Sequence, residues 1–124
     1  MKIVGLVEKI EIAGKRKVKT FAVFDSGAKL TSVDIKLAAE AQLGPIIRTT
    51  RVKNPSYDGF VTRPVVRARL KILGKTFDTE VNVQDRSHMS LPVIIGRNVL
   101  KGNFLVDPKK NHELYLKLKK KQGG

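Results

Sequence analysis

The group best placed for proton chemistry is Asp25, in Phe21-Ala22-Val23-Phe24-Asp25-Ser26-Gly27-Ala28. Its carboxylate stands at the end of an apolar run, ahead of a glycine that permits a sharp reversal of the chain. A carboxylate displayed in that way can take or give a proton. Asp-Ser-Gly alone reads equally well as a plain turn. Two features set this one apart: the apolar strand that feeds it, with Ala28 after it, and a downstream block, Pro92-Val93-Ile94-Ile95-Gly96-Arg97-Asn98-Val99-Leu100. That block is an apolar strand ending in glycine before a short helix. The rival acids are Asp85, beside Arg86, and Asp107, before Pro108; both read as turn or salt-bridge groups. His88 and His112 are the only histidines, no His-Glu-x-x-His occurs and there is no cysteine, so zinc chemistry finds no ligand set. No Gly-x-x-x-x-Gly-Lys-[Ser/Thr] loop is present to cradle a nucleotide. The expectation is no metal and no cofactor.

These residues must be carried by a small β-rich frame. The chain has 124 residues and 13.8 kDa, enough for one domain. We read residues 1–119 as that domain and 120–124 as a basic flexible tail. Ile3 to Ile12 reads as a strand, Ala13 to Arg16 as a turn, and Lys17 to Phe24 as the returning strand. A short strand follows near Leu30 to Val33, then a helix over Ile35 to Leu43, capped by Asp34 and ended by Gly44-Pro45. Asn54 to Gly59 is a strong turn signal inside a polar stretch. Val65 to Ile72 alternates, with Val66, Ala68, Leu70 and Ile72 on one face and Arg67, Arg69 and Lys71 on the other. A hairpin loop at Gly74-Lys75 would set Lys71 opposite Asp78 and Arg69 opposite Glu80. Leu91 to Ile95, Phe104 to Val106 and Leu114 to Leu118 read as the last strands, with a brief helical turn after Gly96. The fold class is therefore mostly β, a barrel or sandwich with one or two short helices.

Composition bounds the partners. Hydrophobic residues make up 41% and charged residues 29%, a folded rather than a disordered balance. No apolar run approaches the ~18 to 20 residues of a membrane helix, and Glu8 comes too early for a secretory core. Without cysteine there is no disulfide framework, and we expect a cytoplasmic protein with no membrane partner. The 25 Lys+Arg against 11 Asp+Glu leave a net charge of +14, which attracts polyanions of any kind.

The Asp25-Ser26-Gly27-Ala28 loop and the Ile94-Ile95-Gly96-Arg97-Asn98 segment together resemble the retropepsins, the half-size aspartic proteases of retroviral type. The resemblance is greatest to the prokaryotic RimB-like group, also labelled ATP-dependent zinc proteases. It runs in order through Val4-Gly5, Glu8, Thr31-Ser32, Arg51-Val52-Lys53, Arg63-Pro64, Asp85-Arg86-Ser87, Met89, Pro92, Leu100, Gly102 and Phe104 to Pro108. The departures are serine at position 26 and a lysine-rich C-terminus.

The resemblance implies a closed or partly open retropepsin-like barrel and hydrolysis of peptide bonds by two carboxylates that share a proton. One Asp-Ser-Gly in a chain too short for two lobes implies a homodimer, with Asp25 meeting its copy across a two-fold axis. Ser26, Gly27 and Ala28 would support that loop. Arg51, Lys53, Tyr57, Asp58, Gly59 and Arg63 would form a flap over substrate, and Ile95, Gly96 and Arg97 would cross behind the acid. An acidic, glutamate-rich peptide tail is the implied substrate class, drawn in by Arg48, Arg51, Lys53, Arg63 and Arg67. The competing class is a non-catalytic retropepsin-fold module that binds RNA, a ribosomal surface or another polyanion nonspecifically. Neither zinc nor ATP dependence is supported by these residues. A third outcome has Leu114 to Leu118 pairing with Phe104 to Val106 in its own chain, which would weaken the dimer.

Overall fold

The computed structural model describes residues 1–53, 58–89 and 91–123, with side chains through Lys120. Among the described residues, nine strands and three helices follow in the order β1 (Lys2–Val4), β2 (Val7–Ala13), β3 (Lys17–Phe24), β4 (Ser32–Asp34), α1 (Ile35–Glu40), β5 (Arg48–Lys53), β6 (Phe60–Ile72), β7 (Lys75–Gln84), β8 (Val93–Ile95), α2 (Arg97–Leu100), β9 (Phe104–Val106) and α3 (His112–Gly123). Six strands pair in the order β2-β3-β8-β4-β7-β6, and β6 returns to β2 through Glu11↔Lys71, Ile12↔Leu70 and Ala13↔Arg69. The ring is a closed barrel, and closure removes its free edges. β5 lies outside the ring as a hairpin arm on β6.

Alternation fills the interior. On β2, Ile10 and Ile12 are buried while Lys9 is exposed; on β6, Val66, Ala68, Leu70 and Ile72 are buried while Arg67, Arg69 and Lys71 face water. Ile12, Leu70, Ile72, Val81, Val93 and Ile95 are fully enclosed, each stabilising the fold by about 1.5 to 3 kcal/mol. Phe104 closes one end, its ring 5.6 Å from that of Phe77 and 6.4 Å from that of Phe24.

Four local expectations are corrected. The first strand breaks at Gly5-Leu6, and β1 leaves the barrel to run parallel with β9. At the break the Gly5 amide donates to the buried Glu8 carboxylate at 2.8 Å, and Glu8 pairs with Lys110 at 3.1 Å. Second, helix α1 starts from the expected cap, the Asp34 carboxylate accepting from the Lys36 amide, but stops at Glu40 rather than Leu43. Ala41 and Gln42 are used instead to accept from Gly14, Lys15 and Arg16.

Third, the β6–β7 loop is Leu73-Gly74, both at positive φ (48° and 81°), so Arg69 faces Asp78, Arg67 faces Glu80 and Lys71 faces Thr76. This register brings Leu70 opposite Phe77 and packs Leu73 against the core. Its shift is two residues, so every side chain keeps its face.

Last, residues 114–118 are not a strand. They lie within α3, where Leu114, Tyr115 and Leu118 are half-buried along one helical stripe. The alternating Leu/Lys pattern imitates a strand, but Glu, Leu and Lys are good helix formers, and the strand that Phe104–Val106 pairs with is β1. The expected pairing of 114–118 with β9 is therefore absent.

Candidate active site

Three short segments build the site, because β8 is threaded between β3 and β4. It runs parallel to β3 (Ala22↔Val93, Val23↔Ile94, Phe24↔Ile95) and antiparallel to β4 (Ser32↔Ile94, Val33↔Val93). β3 delivers Asp25 to the end of that pairing, where its amide donates to the Ile95 carbonyl at 2.9 Å. The loop then folds on itself. The Gly27 amide donates to Asp25 Oδ1 at 2.8 Å, and the Ala28 amide to the Asp25 carbonyl at 3.1 Å. A Cβ on Gly27 would stand 3.0 Å from Asp25 Oδ1, so glycine is what allows the carboxylate to lean there. Asp25, Ser26 and Gly27 are exposed and Ala28 is half-buried.

The loop is held from behind by the start of α2. Arg97 donates through Nη1 to the Ser26 carbonyl at 2.9 Å and through its backbone amide to the Ala28 carbonyl at 2.8 Å. Asn98 Oδ1 accepts from the Thr31 amide and hydroxyl, both at 2.9 Å, while its Nδ2 donates to the Glu80 carbonyl at 2.9 Å and to the Thr79 hydroxyl at 3.2 Å. The Thr31 hydroxyl in turn accepts from the Gly96 amide at 3.0 Å. Thr31 is fully buried, so these groups have no water to fall back on. The carboxylate is thus free on its outer side and its support rigid on the other. We expect Asn98→Ala to destabilise the protein by about 2 kcal/mol, the cost of orphaning the enclosed Thr31 amide, read as a lower urea midpoint with an unchanged slope.

A cleft of about 370 Å³ opens beside the loop, walled by Gly27, Ala28 and Lys29 on one side and by Arg51, Lys53 and Arg63 of the β5–β6 arm on the other. Ser32 and Gln84, hydrogen-bonded to each other, form part of its floor. Among the described residues, no acidic side chain lines it. Arg51 stacks its guanidinium 4.3 Å over the Phe60 ring. Arg63 is half-buried, and its Nε is enclosed with no hydrogen-bond partner among the described residues. Behind it Arg86 is buried, its amide donating to Asp34 Oδ1 at 2.8 Å and its Nε to the Leu91 carbonyl at 3.1 Å. Burial lowers the Arg86 pKa, the Asp34 carboxylate opposes that shift, and the neighbouring Arg63 cation adds to it.

The structure brings Gly27, Ala28, Arg51, Lys53 and Arg63 of the expected residues to one cleft and leaves others away from it. Asp58 and Gly59 stand at the far end of the arm and do not line the cleft; Tyr57 lies outside the described residues. Arg48 and Arg67, expected to face substrate, are instead turned to Glu80 (2.5 Å) and Asp78 (3.0 Å). The cleft residues that were missed are Lys29, Leu30, Asn82 and Gln84, and the missed support is Asn98. Lys29 could have been found from its place directly after the loop. The rival acids prove to be turn groups. Asp85 accepts from the Ser87 amide at 2.9 Å, and its hydrogen bonds to Ser87 hold its pKa below the usual carboxylate value. Asp107 accepts from the Lys109 amide at 2.9 Å.

Comparison with known proteins agrees with this geometry. Residues 29–114, more than half of the chain, match the family described as RimB-like, "Retropepsin-like aspartic endopeptidase RimB". The chain belongs to the RimB-like family. The matched region begins just past the Asp25 loop, so membership rests on the frame and the second half of the site rather than on the acid itself. No curated protein matches the sequence. Among solved structures, this RimB-like chain is similar to a protein of unknown function from Legionella pneumophila, with 24% identity, 86% of this chain and 93% of that chain covered, and a TM-score of 0.62. It is similar to the EIAV protease in complex with an inhibitor at 18% identity, covering 82% and 91%, with a TM-score of 0.60. The protease of simian foamy virus follows at 21% identity, 76% and 90% coverage and a TM-score of 0.56. These likenesses are of fold: the barrel is the retropepsin barrel. No helix among the described residues is long and apolar enough to cross a membrane.

Proposed function

We propose that this RimB-like protein is an aspartic-type peptidase that works as a homodimer on acidic, glutamate-rich peptide. The observation that carries the reading is the exposed Asp25 carboxylate on a loop braced by Ile95, Arg97 and the Thr31–Asn98 pair, in a chain of the aspartic endopeptidase family. One carboxylate is half of an acid dyad. The other half is Asp25 of a second copy, brought across a two-fold axis by the exposed Asp25-Ser26-Gly27 face. Two carboxylates at that distance share one proton. The ionised member takes a proton from a bound water, and the protonated member donates to the scissile carbonyl as the tetrahedral centre forms. The Ser26 hydroxyl bonds across the axis, and Gly27 lets the substrate backbone approach. The arm carrying Arg51, Lys53 and Arg63 closes on the peptide.

The acidic substrate is argued from charge. Among the described residues, Lys29, Arg51, Lys53 and Arg63 line one cleft with no carboxylate in its walls, and charge-assisted hydrogen bonds from such cations suit glutamate side chains. Two measurements test the reading. Turnover per chain should rise with protein concentration in step with dimer formation seen by sedimentation; constant turnover per chain where the protein sediments as a monomer would overturn the dyad. Cleavage of a glutamate-rich peptide should exceed that of a neutral one at least tenfold at low salt and lose that advantage as salt screens the cleft. Equal rates would overturn the substrate class.

A further inference from the structure

A second cationic surface lies on the barrel wall formed by β3, β2 and β6, and the proposed hydrolysis does not use it. Outward side chains stand there in two rows set by the strand register: Lys19, Glu11 and Lys71 in one, Lys17, Ala13 and Arg69 in the other. Lys9 extends the surface along β2. Two open depressions of about 350 and 320 Å³ adjoin across Glu11 and Lys71, which line both. Their charged walls are Lys9, Lys17, Lys19, Arg69 and Lys71 against Glu11 alone.

The fold does not neutralise this charge. Glu11 reaches Lys17 at 3.8 Å, and Asp78, which faces Arg69 in register, gives its carboxylate to Arg67 at 3.0 Å. Among the described residues no carboxylate lies within ion-pair distance of Lys9, Lys19, Arg69 or Lys71. Clustered like charges on a sheet oppose folding, so the patch does not serve stability.

We infer that this wall is a docking site for the phosphate backbone of duplex nucleic acid. Strands about 4.8 Å apart, with outward residues about 6.7 Å apart along each, hold the cations in a rigid two-dimensional grid. Such a grid suits the double row of phosphates on a duplex, whereas an extended acidic peptide presents a single line. Among the described residues, no aromatic side chain lines either depression to give single-stranded bases a stacking platform. None of the exposed large hydrophobic residues lies in these walls, so nothing there inserts into a lipid surface. Recognition through phosphates alone is independent of sequence and strongly salt-dependent. The site is separate from the cleft. Arg63 and Lys71 sit on one strand, eight residues or about 27 Å apart, and the two surfaces share no lining residue.

The test is binding of a labelled duplex of about 20 base pairs, in RNA and DNA forms, followed by fluorescence anisotropy across a salt series. Lys17→Gln/Lys19→Gln/Lys71→Gln should weaken binding at least tenfold near 0.1 M salt and reduce the slope of log K against log salt by about 3. The pair Lys9→Gln/Arg69→Gln, made separately, should reduce the slope by about 2. Both variants should melt at or slightly above the parent temperature, as relief of like-charge repulsion requires, and cleave a short peptide at the parent rate, whereas Arg51→Gln/Arg63→Gln should leave duplex binding unchanged. The inference is overturned if the parent does not bind duplex, if the patch variants keep its slope, or if the cleft variant loses binding. Displacement of the duplex by polyglutamate or anionic vesicles as readily as by unlabelled duplex would also overturn it.

Discussion

Asp25→Asn is expected to lower kcat by at least about 10³-fold while leaving the thermal midpoint within a degree or two of the parent. The size follows from general acid–base catalysis, which contributes about 10² to 10⁴-fold on its own and in the proposed dimer would supply both the base and the acid of one dyad. Asparagine keeps the size of aspartate and retains an Oδ1 to accept from the Gly27 amide, the one side-chain bond that Asp25 makes within its loop. Folding is therefore spared, and the loss is one of chemistry. Mixing parent and variant chains sharpens the test. If each dimer needs two Asp25 carboxylates, activity falls as the square of the parent fraction; a linear fall would mean that a chain acts alone. A variant with more than a tenth of the parent rate would place the chemistry on some other group.

Gly96→Ala is expected to cost about 3 kcal/mol, at the upper end of overpacking penalties, and to lower the thermal midpoint by roughly 10 °C. A Cβ there would meet the Ala28 carbonyl oxygen at 2.8 Å, the Leu30 carbonyl carbon at 2.8 Å and the Leu30 oxygen at 3.0 Å. All three are backbone atoms, so no side chain can swing away. Relief requires β8 and the Asp25 loop to part, and that would also disturb the Gly96 amide bond to Thr31 and the Arg97 amide bond to Ala28. A displaced loop should lower kcat by about 10²-fold as well. Gly102→Ala is the comparison: at φ +77° with nothing within 4 Å of its Cβ, it carries backbone strain of about 1 kcal/mol and no crowding. Equal losses in the two variants would show that close packing at Gly96 is not what holds the loop.

The places where sequence reasoning failed share a cause. Arg48 and Arg67 looked like cleft residues because they flank the arm in sequence, but their carboxylate partners, Glu80 and Asp78, come from β7. The helix over 112–123 was misread because alternation of Leu and Lys imitates a strand, while Glu, Leu and Lys favour a helix and the partner of β9 is β1, from the other end of the chain. Asn98 was passed over since its bonds run 67 residues back to Thr31 and 18 residues back to Glu80.

What the residues alone determined is the local chemistry: the Asp25-Ser26-Gly27 loop, the apolar strand ending at Gly96, the alternation of β6 and the excess of cations. Those features depend on neighbours within a few positions, where sterics and hydrophobic period act directly. Tertiary structure decided where the charges went. It grouped Lys29 with Arg51, Lys53 and Arg63 around one cleft, and Lys9, Lys17, Lys19, Arg69 and Lys71 on a second wall farther along β6. Barrel closure between β2 and β6 made that division, since a long-range strand pairing places side chains by register across the sheet rather than by their order along the chain.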